Sequence, residues 1–417
     1  MKNFFQALLF LPILLDAQTI GDCRSRYVNY LNFHGSLNQS VIFSTNSIQI
    51  KSTLCSTTLF ENELPAMGQV LKGLSTDQQL KLLKWKKNKH LSAKQLDSLL
   101  SVANPRSQTP QGSFKGLRVA IEPGHFCASV EDANIEQKYL AFKTPKGDSI
   151  ALYESELTYM TATLLKSKLD QQGATVFLTR KGKEFTSTGY TYSQLTGNKR
   201  KWFLDSLVTH QAISSVRALA LLKLNPTAFY KDFFRDFELS NRAKLINAFQ
   251  PDLTVIIHYN VDEKNAPWKQ QTYKDFTMTF VPGAMTRSDL DKTEGYVNFI
   301  RLLITNDLND SSELAACTVN AFSKKLKIPI AKPTDATYLA ENCVQTPKTG
   351  VYSRNLALCR KISGPLIYGE ALYQDNVNES YALMARDTSI GGINVSKRAA
   401  SVAESYYLAI GTFIGIH

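Results

Sequence analysis

The chain has 417 residues, of which 43% are hydrophobic, and its formal net charge is +12. This length and apolar content are enough for a sizeable core and predict two domains. The positive charge favours an anionic surface, such as a cell-wall polymer or lipid headgroups. Nucleic acid is disfavoured as a partner, because no basic motif of a known binding module occurs in the sequence.

Residues 1–17 are predicted to be a signal peptide for secretion. Lys2 supplies a short basic start, residues 4–15 are apolar, and residues 16–18 offer a small-residue cleavage point. The apolar run is too short to span a bilayer comfortably, and no later stretch is apolar enough to do so. We therefore expect an exported protein that does not span the membrane. The periplasm is favoured because no surface anchor is visible, and a buried N-terminal helix is the alternative.

Export would make disulfides possible for the six cysteines. A Cys23–Cys55 pair and a Cys343–Cys359 pair are the plausible bridges, and buried free thiols are the equally weighted alternative. No Cys-x-x-Cys pair occurs, which argues against a structural zinc cluster.

Residues 18–112 are predicted to form a small N-terminal α+β module. Its first half contains a β-type run at 40–50, and its second half contains helices at 74–88 and 91–103, each beginning at a Ser cap. The polar segment 104–116, which contains Pro and Gly, is predicted to be a linker. No motif in this module indicates its role.

From residue 116 to 417 the pattern changes to strands that alternate with helices. This alternation predicts an α/β fold with a mostly parallel sheet and helices on both faces. Insertions near 181–237 and 261–311 interrupt it and could shape a substrate cleft, and surface decoration without a catalytic part is the equally weighted alternative. The predicted strands are 117–123, 174–180, 252–258, 276–283 and 364–372, and the predicted helices are 154–173, 238–250, 312–326 and 395–414.

Four polar residues are placed where these elements begin or end. His125 and His258 end strands, Glu154 begins a helix, and Glu370 lies near the end of the last strand. Ligand sites in an open α/β sheet gather at the carboxyl ends of the strands, so the four side chains can meet there. Two histidines and a carboxylate are the ligands of a catalytic zinc site with one position open for water. Glu370 could be the general base, so the set predicts a zinc (Zn2+) hydrolase.

Each of these residues taken alone also has a structural interpretation. A histidine at a strand end is commonly a satisfied structural residue, and Glu154 could simply favour a helix dipole. Glu156 is a rival ligand two residues away. A serine or cysteine hydrolase is disfavoured because no Gly-x-Ser-x-Gly motif occurs, and Cys127 is better interpreted as a neighbour of His125 than as a nucleophile.

Four sequence blocks that contain these residues resemble the zinc-dependent N-acetylmuramoyl-L-alanine amidases of the peptidoglycan amidase type 3 family. The resemblance covers roughly residues 116–417. It aligns Glu154 rather than Glu156 with a metal ligand and Glu370 with the catalytic glutamate, and it places Arg242, Asn247 and Asn260 in family positions. The blocks are IEPGH (121–125), ESELTYMTATLLKSKLDQQGATVFLTR (154–180), NRAKLINAFQPDLTVIIHYN (241–260) and EALYQDN (370–376).

The resemblance implies a zinc enzyme that hydrolyses the amide between N-acetylmuramic acid and L-alanine in peptidoglycan. An activator protein could be a further partner, but the sequence does not indicate one. The alternatives are a zinc hydrolase of another envelope amide or peptide, and a catalytically inactive wall-binding regulator. Four features depart from the family pattern. Glu122 replaces an Asp, Ile257 replaces the usual Ser, the link at 126–153 is long and lacks the usual glycines, and the insertion at 181–237 is far longer than the typical link. This insertion could be a self-inhibitory lid.

Overall fold

The computed structural model describes residues 18–103, 110–127, 129–144, 147–265, 269–390 and 393–416. The predicted signal peptide (1–17) and residues 104–109 of the predicted linker lie outside these ranges. Within the described ranges, no helix combines the length and the apolar character needed to cross a bilayer.

The strands form one large sheet and three small ones. The large sheet has the order β10-β11-β9-β12-β8-β4-β7, the N-terminal sheet is β1-β2-β3, and β5-β6 and β13-β14 are hairpins. The strands are β1 Val41–Phe43, β2 Ser47–Lys51, β3 Ser56–Phe60, β4 Arg118–Pro123, β5 Tyr139–Lys143, β6 Ser149–Tyr153, β7 Thr175–Leu178, β8 Leu253–Asn260, β9 Met278–Pro282, β10 Cys343–Gln345, β11 Val351–Arg354, β12 Leu366–Tyr373, β13 Thr388–Ile390 and β14 Ile393–Val395.

The large sheet is mostly parallel, as predicted. Strands β7, β4, β8 and β12 are parallel neighbours. Strand β9, on the other side of β12, runs antiparallel to it. All eight residues of β8 are buried, which is typical of a central strand covered on both faces. The carboxyl ends of β4, β8 and β12 therefore lie side by side.

Helices cover both faces of this sheet, which confirms the predicted α/β class. The helices are α1 Ile20–Arg26, α2 Leu64–Gly73, α3 Thr76–Lys86, α4 Ala93–Ala103, α5 Val130–Glu136, α6 Glu154–Gln171, α7 Tyr192–Thr196, α8 Arg200–Thr209, α9 Ser215–Leu222, α10 Pro226–Phe229, α11 Arg235–Phe249, α12 Arg287–Leu290, α13 Thr293–Ile304, α14 Asp307–Leu326, α15 Thr337–Glu341, α16 Ala357–Lys361, α17 Glu379–Met384 and α18 Lys397–Phe413. Short π-helical turns at Tyr27–Leu31 and Tyr230–Phe234 precede other elements, and 3-10 turns lie at Phe33–Gly35 and Glu61–Glu63.

The alternation of side chains along the strands explains the two layers. Val255 and Ile257 of β8 pack into the core cluster that contains α6, α14 and α18. Ile256, which points to the opposite face, packs with Ala243 of α11 and Leu358 of α16. Strand β8 thus buries apolar side chains on both faces.

The N-terminal segment is joined to the rest of the chain by buried polar contacts. The Arg26 guanidinium donates to the Leu303 carbonyl at 2.8 Å, and Lys72 pairs with Asp307 at 2.6 Å. Its apolar residues belong to the same core cluster as those of α13 and α14. The segment is therefore packed against the part of the second insertion that contains α13.

The insertion at 181–237 forms a helical layer with its own aromatic core. Thr191, Ser214 and Asn225 cap α7, α9 and α10 with side-chain hydrogen bonds. Phe126, which lies outside the insertion, is a buried member of this core, and Ile135 packs against it. The buried members are Phe126, Tyr192, Leu195, Phe203, Leu204, Ala218, Leu221, Phe229 and Phe234.

The two plausible disulfides are not formed, and all six cysteines are free. Cys343 and Cys359 pack in different apolar clusters, one beside β9 and one beside α11. Cys23 accepts a hydrogen bond from Arg26 at 3.5 Å, and Cys55 lies 4.0 Å from the Thr57 hydroxyl. The alternative of free thiols is the one that the structure supports.

Candidate metal centre and active site

His125, Glu154 and His258 meet at the carboxyl edge of the sheet, as predicted. One ligand atom from each lies within 4.8 Å of the others. His125 Nε2 lies 3.4 Å from Glu154 Oε2, and His258 Nδ1 lies 2.9 Å from Glu154 Oε1. Glu154 lies between the two imidazoles because α6 begins directly after the hairpin β5-β6 and points its first residue back at the sheet.

The donor atoms of this group fit a metal ion. His125 Nε2 and Glu154 Oε2 are buried, and neither has a hydrogen-bond partner among the described residues. Buried polar atoms without a partner cost free energy, and two that face each other are satisfied together by a cation. Two imidazole nitrogens and a carboxylate are also the donor set that zinc accepts in catalytic sites.

Glu156, the rival ligand, lies outside this group. Its carboxylate pairs with Lys183 at 3.2 Å and with Arg386 at 3.1 Å. The two-residue spacing on α6 turns its side chain away from Glu154. The structure therefore separates the two glutamates in the way that the family resemblance implies.

The His258 imidazole lies in a slot between Gly124 and Tyr368. It stacks on the Tyr368 ring with centroids 4.2 Å apart and an interplanar angle of 9°. A Cβ atom at Gly124 would lie 2.2 Å from His258 Cε1. Since β8 lies between β4 and β12, these contacts flank the ring from two sides. The Pro-Gly step before His125 is thus required by the second histidine as well.

Glu370 is the direct cross-strand neighbour of His258 in the β8-β12 pair. Its Oε2 atom is buried and has no hydrogen-bond partner among the described residues. Burial raises the pKa of Glu370 to about 8, and the negative charge of Glu154 adds to the shift. This carboxyl is thus able to exchange a proton near neutral pH.

The two imidazoles have opposite electrostatic environments. Burial works to lower the pKa of His125, but the carboxylates of Glu154 and Glu136 outweigh it and the pKa is raised. Burial lowers the pKa of His258 to about 4 in spite of its contact with Glu154. For Glu154, burial works against ionisation, but the charges of His125 and Lys138 hold its pKa well below the usual range.

A buried ionic network supports the loop that carries His125. Arg242 of α11 bonds the Glu122 carboxylate, pairs with Glu238 at 2.8 Å, and donates to the His125 carbonyl at 3.2 Å. The Thr179 hydroxyl also bonds Glu122. The Glu that replaces the family's Asp therefore still reaches the arginine of the third sequence block.

Arg180 holds the same loop from the other side. Its Nη2 group donates to the carbonyls of Pro123 at 2.9 Å and Gly124 at 3.1 Å. The side chain is buried, so these carbonyls are bound to a fixed cation rather than to water. The Thr-Arg pair that ends the second sequence block has a structural function here.

The two asparagines in family positions have different surroundings. The Asn260 amide donates to the Tyr338 hydroxyl at 2.9 Å, on the side of the sheet that carries Glu370. Asn247 bonds the carbonyl of Lys361 and the amide of Ser363, at 2.8 and 2.9 Å. Asn247 thus fixes the loop before β12, whereas Asn260 lies near the site.

Sequence reasoning missed Glu136, which lies against His125. Glu136 Oε1 lies 3.4 Å from His125 Nδ1, and Oε2 accepts the Phe126 amide proton at 2.7 Å. Glu136 ends α5 inside the long link 126–153. The only signal for it was the unusual length of that link.

A family model matches most of the part of the chain that carries this site. Residues 119–391, about two thirds of the chain, match the family model described as N-acetylmuramoyl-L-alanine amidase. None of the curated proteins compared with this chain matches it.

Similar solved structures include other amidases, at low sequence identity. The CwlD amidase from Clostridioides difficile, solved in complex with the GerS lipoprotein, is 15% identical with a TM-score of 0.38 and covers 72% of this chain and 100% of its own. The catalytic domain of CwlV from Bacillus (Paenibacillus) polymyxa var. colistinus is 14% identical with a TM-score of 0.38, covering 72% and 99%. Ami1 from Mycobacterium smegmatis is 13% identical with a TM-score of 0.40, covering 73% and 100%. The assignment rests on the family match, and by that match the chain belongs to the N-acetylmuramoyl-L-alanine amidase family, a family of enzymes that act on peptidoglycan in the cell wall.

Proposed function

We propose that this amidase cleaves the bond between N-acetylmuramic acid and L-alanine with a zinc ion held by His125, Glu154 and His258, and with Glu370 as general base. The observation that carries the proposal is the group of three ligand atoms within 4.8 Å of one another, two of them buried without a hydrogen-bond partner among the described residues. Zinc bound there supplies Lewis acidity, which activates water near neutral pH and polarises a carbonyl.

Glu370 transfers the proton in this mechanism. Its carboxylate takes a proton from the attacking water and gives it to the leaving nitrogen of the amide. The pKa of Glu370 is raised to about 8 by burial first and by the charge of Glu154 second. A cation bound at Glu154 would reduce the part of this shift that comes from the Glu154 charge. The pKa of Glu370 would then lie closer to neutral pH, and a larger fraction of the carboxyl would be ionised and able to accept a proton.

The rest of the chain is proposed to place this chemistry at the cell wall. The family acts outside the cytoplasm, and among such locations we propose the periplasm. The net charge of +12 favours approach to an anionic polymer. We propose that residues 116–417 are the catalytic domain, that residues 18–112 are a module packed against it, and that an activator protein is a further partner.

The test compares wild-type protein with Glu370→Gln, using Glu156→Gln as the matched control on the surface. We expect all three proteins to bind about one zinc per chain. Wild type and Glu156→Gln should release stem peptides from purified peptidoglycan, and Glu370→Gln should be ~10²–10⁴-fold slower.

Other outcomes would select the alternatives. Release of peptide fragments with the muramic acid amide intact would indicate a different envelope amide or peptide as substrate. Zinc-independent binding to peptidoglycan without hydrolysis, unchanged in Glu370→Gln, would indicate a wall-binding regulator. Protein that binds no zinc would contradict the proposed ligand set.

A further inference from the structure

We propose that Glu136 is a positioning residue that orients the His125 imidazole, and that the helical insertion holds Glu136 in place through Tyr230. The inference rests on the proposed metal role of His125. It goes further because it assigns a function to the link 126–153 and to the insertion 181–237, the two segments that depart most from the family pattern.

Two hydrogen-bond donors and the His125 imidazole converge on the Glu136 carboxylate. Oε2 accepts the Phe126 amide proton at 2.7 Å, and Oε1 accepts the Tyr230 hydroxyl proton at 3.2 Å. His125 Nδ1 faces the same Oε1 at 3.4 Å. The Glu136 side chain is 5% exposed, so water competes little for these contacts.

The geometry around His125 gives its two ring nitrogens separate functions. Nδ1 faces Glu136, whereas Nε2 faces Glu154 in the ligand group. A metal-binding histidine commonly donates its other ring N–H to a carboxylate, which fixes the tautomer and the ring orientation. The backbone of His125 has φ 63°, an unusual conformation for a residue with a side chain, so external contacts are needed to hold it.

The insertion reaches this carboxylate through side chains on both sides of it. Tyr230 begins the π-helical turn that joins α10 to α11, and its ring packs in the aromatic core of the insertion. Phe126 and Ile135 pack in the same core, next in sequence to His125 and Glu136 respectively. A rigid layer of helices therefore fixes the carboxylate and the residue after the ligand together.

Glutamine at position 136 would fit the space but not the hydrogen bonds. Phe126 and Tyr230 both donate to Glu136. An amide at this position offers only one oxygen, and it places an NH2 group against one of these donors or against His125 Nδ1. Contacts of this kind typically change metal affinity by ~10–100-fold when removed. Loss of the Tyr230 hydroxyl leaves the carboxylate intact, so its effect should be smaller.

The experiment measures zinc affinity by competition with a chromophoric chelator. Glu136→Gln should bind zinc ~10–100-fold more weakly than wild type, and Tyr230→Phe should be intermediate. Glu131→Gln is the control on the exposed side of the same helix. Tyr192→Phe is the control for the hydroxyl, because Tyr192 donates to the Pro226 carbonyl inside the insertion and does not contact Glu136.

A second measurement is independent of zinc and of activity. In metal-free protein with 15N-labelled histidine, at a pH at which the imidazole is neutral, His125 should favour the Nδ1–H tautomer in wild type, and this preference should weaken in Glu136→Gln. If Glu136→Gln retains wild-type zinc affinity and the wild-type tautomer, Glu136 does not position His125. If wild type itself binds no zinc, the proposed metal function fails, and the inference fails with it.

The same variants distinguish a supporting role of the insertion from a self-inhibitory lid. If the insertion supports Glu136, weakening the contact between them lowers zinc affinity and does not increase hydrolysis. A self-inhibitory lid predicts that Tyr230→Phe raises the rate of peptidoglycan hydrolysis at saturating zinc. That result, with zinc affinity unchanged, would overturn the proposed connection between Tyr230 and the metal site.

Discussion

Replacement of Gly124 by alanine should disable the metal site without unfolding the sheet. The new Cβ would lie 2.2 Å from His258 Cε1, whereas ordinary contact begins at 3.4 Å. One of the two must therefore shift by about 1.2 Å. The backbone of Gly124 cannot retreat easily, because its amide donates to the Ile257 carbonyl at 3.0 Å and its carbonyl accepts the Thr158 hydroxyl proton at 2.7 Å.

The imidazole also has little room to move, because the Tyr368 ring stacks on it at 4.2 Å. A displacement near 1 Å is several times the ~0.2 Å tolerance of metal–ligand distances. A misplacement of that size typically costs ~10²-fold in rate. Overpacking in addition should lower the free energy of unfolding by about 1–3 kcal/mol. We therefore expect Gly124→Ala to fold, to bind zinc at least ~100-fold more weakly, and to lose most hydrolysis.

Chelator competition and stem-peptide release from peptidoglycan measure the two effects, and circular dichroism checks the fold. Gly21→Ala in α1 is the matched control, because its new Cβ would meet nothing closer than the Thr19 hydroxyl at 3.4 Å. If Gly124→Ala folds and keeps wild-type zinc affinity and the wild-type rate of hydrolysis, then the contacts with Gly124 and Tyr368 do not position His258.

Two further predictions concern stability. Arg242→Met leaves Glu122 and Glu238 buried without their guanidinium, so the free energy of unfolding measured in urea should fall by about 3–5 kcal/mol. A loss below 1 kcal/mol would mean that the network contributes little. Burial raises the pKa of Asp275 from its ordinary 3.8 to about 7, and nearby Glu379 adds to the shift. The native state therefore binds an extra proton between these values, so its stability falls as pH rises from about 4 to 7. In Asp275→Asn, the free energy of unfolding should no longer fall in this way between about pH 4 and 7. An unchanged pH dependence would contradict the raised pKa of Asp275.

Periodicity and composition were enough to predict the central sheet and its helices. Strands such as 252–258 are continuous apolar runs that end in polar residues, and the observed strand is Leu253–Asn260. Boundaries were less accurate where helices begin with polar residues. Helix α14 begins at Asp307 rather than near residue 312, because Asp307 itself is buried against Arg301 and Lys72. Such tertiary pairs leave no pattern in the local sequence.

The candidate ligands were predictable for a different reason. His125, Glu154, His258 and Glu370 each lie next to a strand or helix end, and the topology of a parallel sheet brings such ends to one edge. The side chains that set their orientation were not predictable in this way. Contacts such as the stacking of Tyr368 on His258 depend on the order of strands, which the sequence does not state.

The sheet and the departures from the family pattern contribute separately to this site. The sheet fixes where the ligand residues lie, since β4 and β8 are adjacent and α6 returns to the same edge. Orientation of His125 needs more than this, because its positive φ costs about 1–3 kcal/mol and its ring has two nitrogens that could face the ligand group. Arg242 fixes the carbonyl of His125, and Glu136 contacts both its ring and the following amide. Glu136 belongs to the long link and contacts Tyr230 of the insertion. In this chain, therefore, the two added segments contact the surroundings of the proposed metal ligand His125, and we expect a change in either segment to alter zinc binding.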